Sequence, residues 1–550
     1  MGGGAQNLNW APAFLIPSVK MEPSTPLLVH RRRLLQALAV GGAALALPPT
    51  AWTQLKVNTT PFGLGVASGS PTHDSVVLWT RLTLPFAQTP DGPSVSVKWQ
   101  LADDDQFARV VQSGQSLAVP GLAYSVHVEV NSLPPDRWYF YRFMAGDALS
   151  AVGRTRTFPA PDRAVAKLRL AYASCQRWEH GYFSAYRHMA QENLDLVMFL
   201  GDYVYEYPRA SNPVRTPPGG WVLTLDDYRQ RYATYKQDLD LQAMHAACPW
   251  LVTWDDHEVQ NDYAGLTAGE NGPEVADFAA RRCAAYQAFY EHMPVRAAVL
   301  TRAVAGLAVG AEMRIYNRSQ YGRLASFTML DARQYKNAPV CTRDGKPGSS
   351  TVNPAQCPAW HDPARSMLGL EQERWLDAAW GSTQGQSARW NIIGQQSLIG
   401  QRDWKVGAEQ SLWNDGWDGY SAARTRLTDS ARKHSVANLI VLGGDVHENW
   451  VGAIKTDYAN PASAAIGVEF CGTSITSRSG GSGKLAETLA ENPHFVFADA
   501  ERKGYGVVDI TPTRLKTTLR VVSDVRLQDT RVETLAEFSV ASGRPVAERV

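Results

Sequence analysis

Short runs that alternate hydrophobic and polar residues fill the first part of the chain after about residue 60. Four such runs lie at 75–81, 95–100, 124–130 and 138–143. Because successive side chains of a β-strand point to opposite faces of its sheet, this period of two indicates half-buried strands. Several short strands separated by Gly- and Pro-containing turns are typical of antiparallel sandwiches. We therefore predict an N-terminal antiparallel β-sandwich domain over 58–160.

The pattern changes beyond residue 166, where short, predominantly apolar runs alternate with segments of helical periodicity. The apolar runs lie at 168–173, 195–200, 249–254, 390–393 and 438–442. The segments of helical periodicity lie at 183–192, 227–247 and 273–292. Fully apolar strands are expected in sheets that are covered on both faces. The sequence therefore predicts one large α/β (α+β) domain over 166–525, with late antiparallel strands, and a polar C-terminal tail over 526–550.

Polar or thiol-bearing residues follow each of the five apolar runs. In chain order they are Cys175, then Asp202 and Tyr205, then Asp256 and His257, then Gln395 and Gln396, then Asp445 and His447. A single Asp after a strand is usually a turn or helix-cap residue, and a single Cys there is usually part of the core. However, the carboxyl ends of strands converge at one edge of an α/β sheet. Five polar strand ends together therefore favour a metal site.

Composition narrows the kinds of ligand that the protein can bind. The 550 residues include 54 Lys+Arg and 53 Asp+Glu, and 44% of them are hydrophobic. Such a chain can bury a large core, so intrinsic disorder is excluded as its main state. The near-zero net charge excludes binding of nucleic acid or acidic membranes by bulk charge. An anionic ligand must therefore be bound by a local site.

The N-terminus has the pattern of an export signal. Arginines at 31–33 precede Leu34 and Leu35, an apolar stretch over 37–47 and then two prolines. This stretch is shorter than the ~20 residues that span a bilayer, so a signal peptide is favoured over a stable membrane span. We expect an N-terminal extension plus a twin-arginine signal over 1–52, with the true start at Met1 or Met21. The expected partner is the twin-arginine export machinery, and the expected location is the periplasm or the exterior.

The six cysteines can be divided by their surroundings. Cys341 and Cys357 flank a stretch rich in Gly, Pro, Ser and Asn, and a bridge between them would restrain that loop, so this pair is the expected disulfide. Cys248, Cys283 and Cys471 lie among apolar or small residues and are expected to be free thiols.

Several motifs resemble known families. Gly201-Asp202-x-x-Tyr205, Asp256-His257-Glu258 and Gly444-Asp445-x-His447 resemble the blocks of calcineurin-like metallophosphoesterases and purple acid phosphatases. The blocks Ser174-Cys175-Gln176, 254–258 and 442–449, together with 63–71 and 77–81 in the N-terminal part, are closer still to the alkaline phosphatase D (PhoD-like) family. This resemblance covers nearly the whole chain after the signal. It implies a four-layer metallophosphatase sandwich behind the N-terminal β-sandwich domain.

The resemblance also implies a set of metal ligands. Asp202 would bridge two ions, and Cys175, Tyr205 and His447 would complete the site of a ferric ion. The second ion would be bound by Asp202, Asp256, Asp445 and the amide of Gln395 or Gln396. An oxygen-rich set prefers hard cations, so Fe³⁺ and one or two Ca²⁺ are expected, with zinc and manganese disfavoured.

The resemblance implies roles for further residues. Paired cations can bind a phosphoester and activate a water for in-line attack. His257 is expected to protonate the leaving alcohol or to stabilise the charge that develops on it. Arg177 is expected to bind a phosphate oxygen, although a surface position for Arg177 is also compatible with the sequence. Glu258 and Glu448 are expected to orient metal-binding histidines.

These observations predict an exported, monomeric, metal-dependent phosphoesterase with a dinuclear or trinuclear centre. Its substrates would be small or polymeric phosphomonoesters, phosphodiesters or both. One alternative is a phospholipase-D-like activity on phospholipid headgroups, which would release a headgroup without free phosphate. A second alternative is a surface binding module whose phosphatase-like domain is inert, and loss of activity on substitution of Asp202 would exclude it.

Overall fold

The computed structural model describes residues 60–84, 92–208, 210–300, 312–383, 387–480 and 483–550. The predicted export signal over 1–52 lies outside these described residues. Within them, no helix combines the length and the hydrophobicity needed to cross a membrane.

The described residues form strands and helices in the order that follows. The first strands are β1 (Val66–Gly69), β2 (Val76–Arg81), β3 (Val95–Ala102), β4 (Val110–Ala118), β5 (Ser125–Val130), β6 (Trp138–Ala145), β7 (Ala148–Leu149) and β8 (Gly153–Arg156). The next are β9 (Leu168–Ala173), β10 (Leu196–Phe199), β11 (Trp250–Val252), β12 (Asn317–Tyr321), β13 (Ala325–Met329), β14 (Thr351–Val352), β15 (Trp390–Gly394) and β16 (Leu412–Trp413). The last are β17 (Leu439–Gly443), β18 (Asn449–Lys455), β19 (Ala465–Cys471), β20 (Phe495–Asp499), β21 (Gly504–Ile510), β22 (Arg514–Val522), β23 (Val532–Ala541) and β24 (Glu548–Arg549). The α-helices are α1 (Ser184–Met189), α2 (Leu225–Lys236), α3 (Leu239–Ala247), α4 (Phe278–His292), α5 (Gly369–Gly381), α6 (Ser421–Lys433) and α7 (Leu485–Glu491).

Two large mixed sheets pack face to face. The first has the order β24-β23-β22-β21-β9-β10-β11-β1-β2-β5, and the second has the order β12-β13-β15-β17-β19-β18-β20. Met198 and Leu251 of the first sheet pack in one buried cluster with Phe327 and Ile392 of the second. The strands that lie at the centre of each sheet are parallel, as expected for strands buried on both faces.

Helices cover the outer faces of both sheets. Phe199 of β10 packs in one cluster with Tyr232 of α2 and Phe289 of α4. On the other side, Val441 of β17 packs with residues of α5 and α6, including Leu427. The order of layers is therefore helix, sheet, sheet, helix, and the predicted four-layer sandwich is confirmed.

The N-terminal strands form a sandwich that shares a sheet with the large domain. β3, β4, β6, β7 and β8 form their own antiparallel sheet, whereas β1, β2 and β5 extend the first large sheet, with β1 parallel to β11. Val66 and Leu78 of the shared sheet pack against Val97 and Tyr141 of the separate sheet. The alternating pattern identified these strands, but not the pairing of β1 with a strand that lies about 180 residues further on.

The C-terminal segment is a correction to the prediction of a polar tail over 526–550. β23 pairs with β22 along its whole length, and β24 pairs with β23. Ala536, Phe538 and Val540 are buried, whereas Glu533 on the same strand is exposed. The charged residues of the outer face mask an alternation that places every second side chain in the core.

Local signals explain one further difference, and two predictions about the cysteines are confirmed. The single helix predicted over 227–247 is two helices, because the Asp238 carboxylate accepts hydrogen bonds from Asp240 N and Leu241 N and caps the start of α3. Cys341 and Cys357 form the predicted disulfide. Cys248, Cys283 and Cys471 lie outside the disulfide and keep their thiols, as predicted.

Candidate metal centre

The predicted polar residues lie at one edge of the two facing sheets. β9, β10 and β11 are parallel neighbours in one sheet, and β13, β15, β17 and β19 are parallel neighbours in the other. Their carboxyl ends therefore point to the same rim, and the loops that follow them meet there. This arrangement brings together side chains that are far apart in the sequence, such as Cys175 and His447.

Cys175, Asp202 and His447 form the first group, with one potential ligand atom from each lying within 4.8 Å of the others. The Tyr205 hydroxyl donates to Asp202 Oδ2 at 2.8 Å and lies 3.3 Å from His447 Nε2. Ser477 Oγ is 2.7 Å from the same hydroxyl. The four residues predicted for the ferric ion are therefore assembled around one point.

Two further groups of potential metal ligands lie next to the first, and Asp202 is a member of one of them. Asp202, Asp256 and His257 meet the same 4.8 Å criterion, as do Asp255, Asp256 and Asp445. Asp202 belongs both to the thiol-containing group and to the group with Asp256 and His257, and Asp256 connects the latter to Asp255 and Asp445. Asp255 was not among the predicted ligands, although it directly precedes Asp256.

Three buried carboxylate oxygens of this rim have no hydrogen-bond partner among the described residues. They are Asp202 Oδ1, Asp255 Oδ2 and Asp256 Oδ1. Burial raises the pKa of Asp256 to about 6, and burial also raises that of Asp255, because the charged carboxylates lose their hydration and repel one another. Unpartnered buried carboxylates are costly unless a cation neutralises them. The donor set therefore fits hard metal ions.

Four of the assembled residues have left-handed backbone conformations. The φ angles are 58° for Cys175, 59° for Asp202, 66° for Asp445 and 58° for His447. Non-glycine residues seldom adopt such angles, and the surrounding structure must compensate for the strain. Glu258 does so for Asp202, because its carboxylate accepts hydrogen bonds from Asp202 N at 3.1 Å and Asp255 N at 2.7 Å.

The two glutamates expected to orient histidines have other partners. Glu258 binds the backbone amides just described, and Glu448 accepts from Arg402 Nη1 at 3.1 Å and Trp450 Nε1 at 2.8 Å. His447 is oriented instead by a backbone carbonyl, since its Nδ1 lies 2.9 Å from Arg478 O. This contact leaves His447 Nε2 free to face Asp202.

His257 and Arg177 both lie beside the assembled groups. His257 Nδ1 is 2.7 Å from Glu206 Oε2, and Glu206 is completely buried. Burial opposes a charge on His257, but Glu206 and the nearby aspartates outweigh it and raise the pKa of His257 well above 6.5. The Arg177 guanidinium lies over the rings of Tyr205 and Tyr207, and its side chain is only 15% exposed. Arg177 is therefore part of the site and is not a surface cation.

Comparisons with known proteins bear directly on this arrangement. The sequence model of the PhoD-like phosphatase family matches residues 170–519, and that of the PhoD-like phosphatase N-terminal domain matches residues 48–159. The chain belongs to the PhoD-like phosphatase family. It is 43% identical over 488 residues to alkaline phosphatase D of Bacillus subtilis (strain 168), a match that covers 87% of this chain and 80% of the relative. The solved structure of PhoD superposes with a TM-score of 0.82 at 41% identity, covering 90% of this chain and 93% of that one.

This PhoD-like phosphatase is a phosphoric ester hydrolase, as its sequence predicts. The amide ligand predicted at Gln395 or Gln396 stays a prediction, and both amides have hydrogen-bond partners in the structure. Gln395 Nε2 donates to Ser397 O, while its Oε1 accepts from Ser397 N at 3.0 Å and from Trp417 Nε1 at 3.0 Å. Gln396 donates to Trp254 O and accepts from Ala332 N.

Arg333 is a residue of the PhoD-like site that the sequence analysis missed. It is fully buried, and its Nε donates to Asp255 Oδ1 at 2.5 Å while its Nη1 donates to Asp415 Oδ2 at 2.6 Å. Its Nη2 lies 3.5 Å from Asp256 Oδ2 and 3.8 Å from Asp445 Oδ1. The available signal was the short run Ala325–Met329 that forms β13, since Arg333 follows this strand as Asp202 follows β10.

Proposed function

We propose that this phosphatase is an exported, metal-dependent enzyme that hydrolyses phosphomonoesters, phosphodiesters or both at a dinuclear or trinuclear centre. The observation that carries the proposal is the set of unpartnered buried oxygens on Asp202, Asp255 and Asp256, next to the thiol of Cys175 and the phenol of Tyr205. The twin-arginine pattern over 1–52 supports export to the periplasm or the exterior.

The group of Cys175, Asp202, Tyr205 and His447 would hold a ferric ion. Burial, followed by the negative charge of Asp202, raises the pKa of both the Cys175 thiol and the Tyr205 phenol. Neither group would therefore be an anion at neutral pH without a cation beside it. A strongly Lewis-acidic ion suits a thiolate, a phenolate and an imidazole together.

The carboxylates of Asp202, Asp255, Asp256 and Asp445 would hold one or two Ca²⁺ ions, since hard cations prefer oxygen ligands. When bound, these cations would withdraw charge from the phosphoester and lower the pKa of a water to generate the nucleophile.

The remaining roles belong to side chains of the chain itself. His257, held by Glu206 on Nδ1, would keep a proton on Nε2 for the oxygen of the leaving alcohol. Arg177 would bind a non-bridging phosphate oxygen, and its stacking on Tyr205 and Tyr207 keeps its guanidinium oriented.

Metal analysis of the purified full chain, combined with product identification, tests the proposal. We expect iron and calcium in the protein, and we expect EGTA to abolish turnover and added Ca²⁺ to restore it. Release of inorganic phosphate from monoesters, or of an alcohol and a monoester from diesters, is the expected result. A colourless, iron-free and fully active protein would contradict the ferric site. Release of phospholipid headgroups without hydrolysis of other esters would instead indicate a phospholipase-D-like enzyme, and no hydrolysis at all would indicate a binding module.

Substitution of Cys175 tests the ferric site separately. We expect Cys175→Ser to lower iron affinity by at least about 10–100-fold, because a hydroxyl is a far weaker ligand than a thiolate. Iron content by elemental analysis and the visible absorption of the protein measure this effect. Cys248→Ser is the matched control, since Cys248 is also a buried free thiol but lies in the helix-packed core. Normal iron content in Cys175→Ser would remove Cys175 from the ligand set.

A further inference from the structure

Two aromatic side chains continue the site beyond His257. The ring of Tyr207 lies 5.2 Å from that of His257 and 5.4 Å from that of Trp221, in near-perpendicular contacts. Both Tyr207 and Trp221 are partly exposed. No sequence motif included either residue.

A buried arginine holds both aromatic residues in place. Arg231, only 2% exposed, donates from Nη1 to Tyr205 O and to Tyr207 O at 2.8 Å, and from Nη2 to Gly220 O at 3.2 Å. Val222 N, on the other side of Trp221, donates to Glu206 O at 3.0 Å. The backbone that carries Tyr207 is thereby tied to the backbone that carries Trp221. A binding surface that is positioned before the ligand arrives loses less entropy on binding.

We propose that Tyr207 and Trp221 form a subsite for an aromatic leaving alcohol of the phosphoester. This inference rests on the proposed role of His257 as the proton donor. In the reaction, an oxygen from water forms a bond to phosphorus, the bond from phosphorus to the alcohol oxygen breaks, and that oxygen takes the proton of His257. The leaving alcohol must therefore lie against His257, which is where Tyr207 begins the aromatic surface.

The charges around the rings favour this assignment. The Arg177 guanidinium lies 4.6 Å from the centre of the Tyr207 ring, so the anionic phosphoryl group is attracted to the side of Tyr207 that faces Arg177 and the aspartate rim. The ring of Trp221 contacts that of Tyr207 at 5.4 Å and enlarges the aromatic surface that begins at Tyr207. Aromatic rings bind planar apolar groups through stacked or edge-to-face contacts. The substrate class indicated is a phosphoester of an aryl, benzyl or nucleoside-like alcohol.

The test uses esters that share the same phosphoryl part and differ in the leaving alcohol. The three alcohols are 4-nitrophenol, which is aromatic and acidic, benzyl alcohol, which is aromatic and weakly acidic, and ethanol, which is neither. For Trp221→Ala we expect kcat/KM to fall about two- to tenfold for the two aromatic esters relative to the ethyl ester. Trp99→Ala is the matched control, because Trp99 is also partly exposed but lies in the separate N-terminal sheet, and its ratios should equal those of the wild type.

His257→Asn separates failure of the subsite from failure of the proposed function. We expect this variant to lose activity on the benzyl and ethyl esters more than on the 4-nitrophenyl ester, because an acidic alcohol leaves without protonation. If Trp221→Ala lowers kcat/KM equally for all three esters, or for none, the subsite is wrong. If His257→Asn lowers all three equally, the proton-donor role is wrong even where the Trp221→Ala ratios change as expected.

Discussion

Asp202→Asn is expected to lower kcat/KM by more than about a hundredfold, because loss of residues that only support metal ligands already costs 10–100-fold. Asp202 is shared by the thiol-containing group and a carboxylate group, and its Oδ1 is buried without a protein partner. Asparagine keeps the shape of the side chain but removes the negative charge that would lie between two cations. The measurement is kcat/KM with the best substrate, together with metal content by elemental analysis.

The matched control for this substitution is Asp377→Asn. Asp377 is 39% exposed and forms ion pairs with Lys433 and His434 on the helical layer, so its loss should leave kcat/KM within twofold of the wild type. Full activity and full metal content in Asp202→Asn would exclude Asp202 as a bridging ligand. Such a result would also revive the interpretation of the chain as a binding module.

Arg333→Leu is expected to destabilise the folded protein by about 3–5 kcal/mol in the absence of metal, the usual cost of removing one partner from a buried ion pair. Arg333 is fully buried and contacts Asp255 and Asp415 directly, with Asp256 and Asp445 further away. Its removal would leave Asp255, Asp256 and Asp445 close together without their shared cation, whereas Asp415 would keep its ion pair with Lys336. The measurement is the free energy of unfolding in denaturant, in the presence of EDTA.

The effect of metal on the stability of Arg333→Leu distinguishes a loss of charge compensation from a loss of packing contacts. Bound cations would neutralise Asp256 and Asp445 in either protein, so the loss in Arg333→Leu should be smaller at saturating Ca²⁺ than in EDTA. Arg432→Leu serves as the control, because Arg432 is 69% exposed and its change should stay within about 0.5 kcal/mol. Equal stability of Arg333→Leu and the wild type in EDTA would show that Arg333 does not compensate the negative charge of the surrounding carboxylates.

The sequence identified the strands of the catalytic domain more reliably than the elements at its borders. The run at 168–173 is β9 to the residue, and the run at 390–393 is β15 without its last residue. Such runs are distinctive because a strand covered on both faces is predominantly apolar along its length. β23 was missed because only one of its faces is buried, and the glutamates of its other face resemble a solvated tail.

The residues of the candidate site can likewise be divided into those that the sequence predicted and those whose contacts only the structure shows. Cys175, Asp202 and His447 each directly follow a buried strand, so the parallel arrangement of the strands brings them together at one rim. The hydrogen-bond partners of Gln395 and Arg333 could be identified only in the folded chain, because each partner is distant in the sequence. Gln395 accepts from Trp417, 22 residues away, and Arg333 donates to Asp255, 78 residues away.

The sequence by itself therefore determined the α/β class of the large domain, the disulfide and the strand ends that carry the chemistry, because these follow from local periodicity and spacing. The four-layer arrangement followed from the resemblance of its motifs to known families. Only the tertiary structure decided which polar groups are already satisfied and which are left without partners. It also decided that Tyr207 and Trp221 lie beside His257. The physical reason is that hydrogen bonds, burial and charge compensation depend on distances between side chains from different loops, and those distances exist only after the sheets have packed.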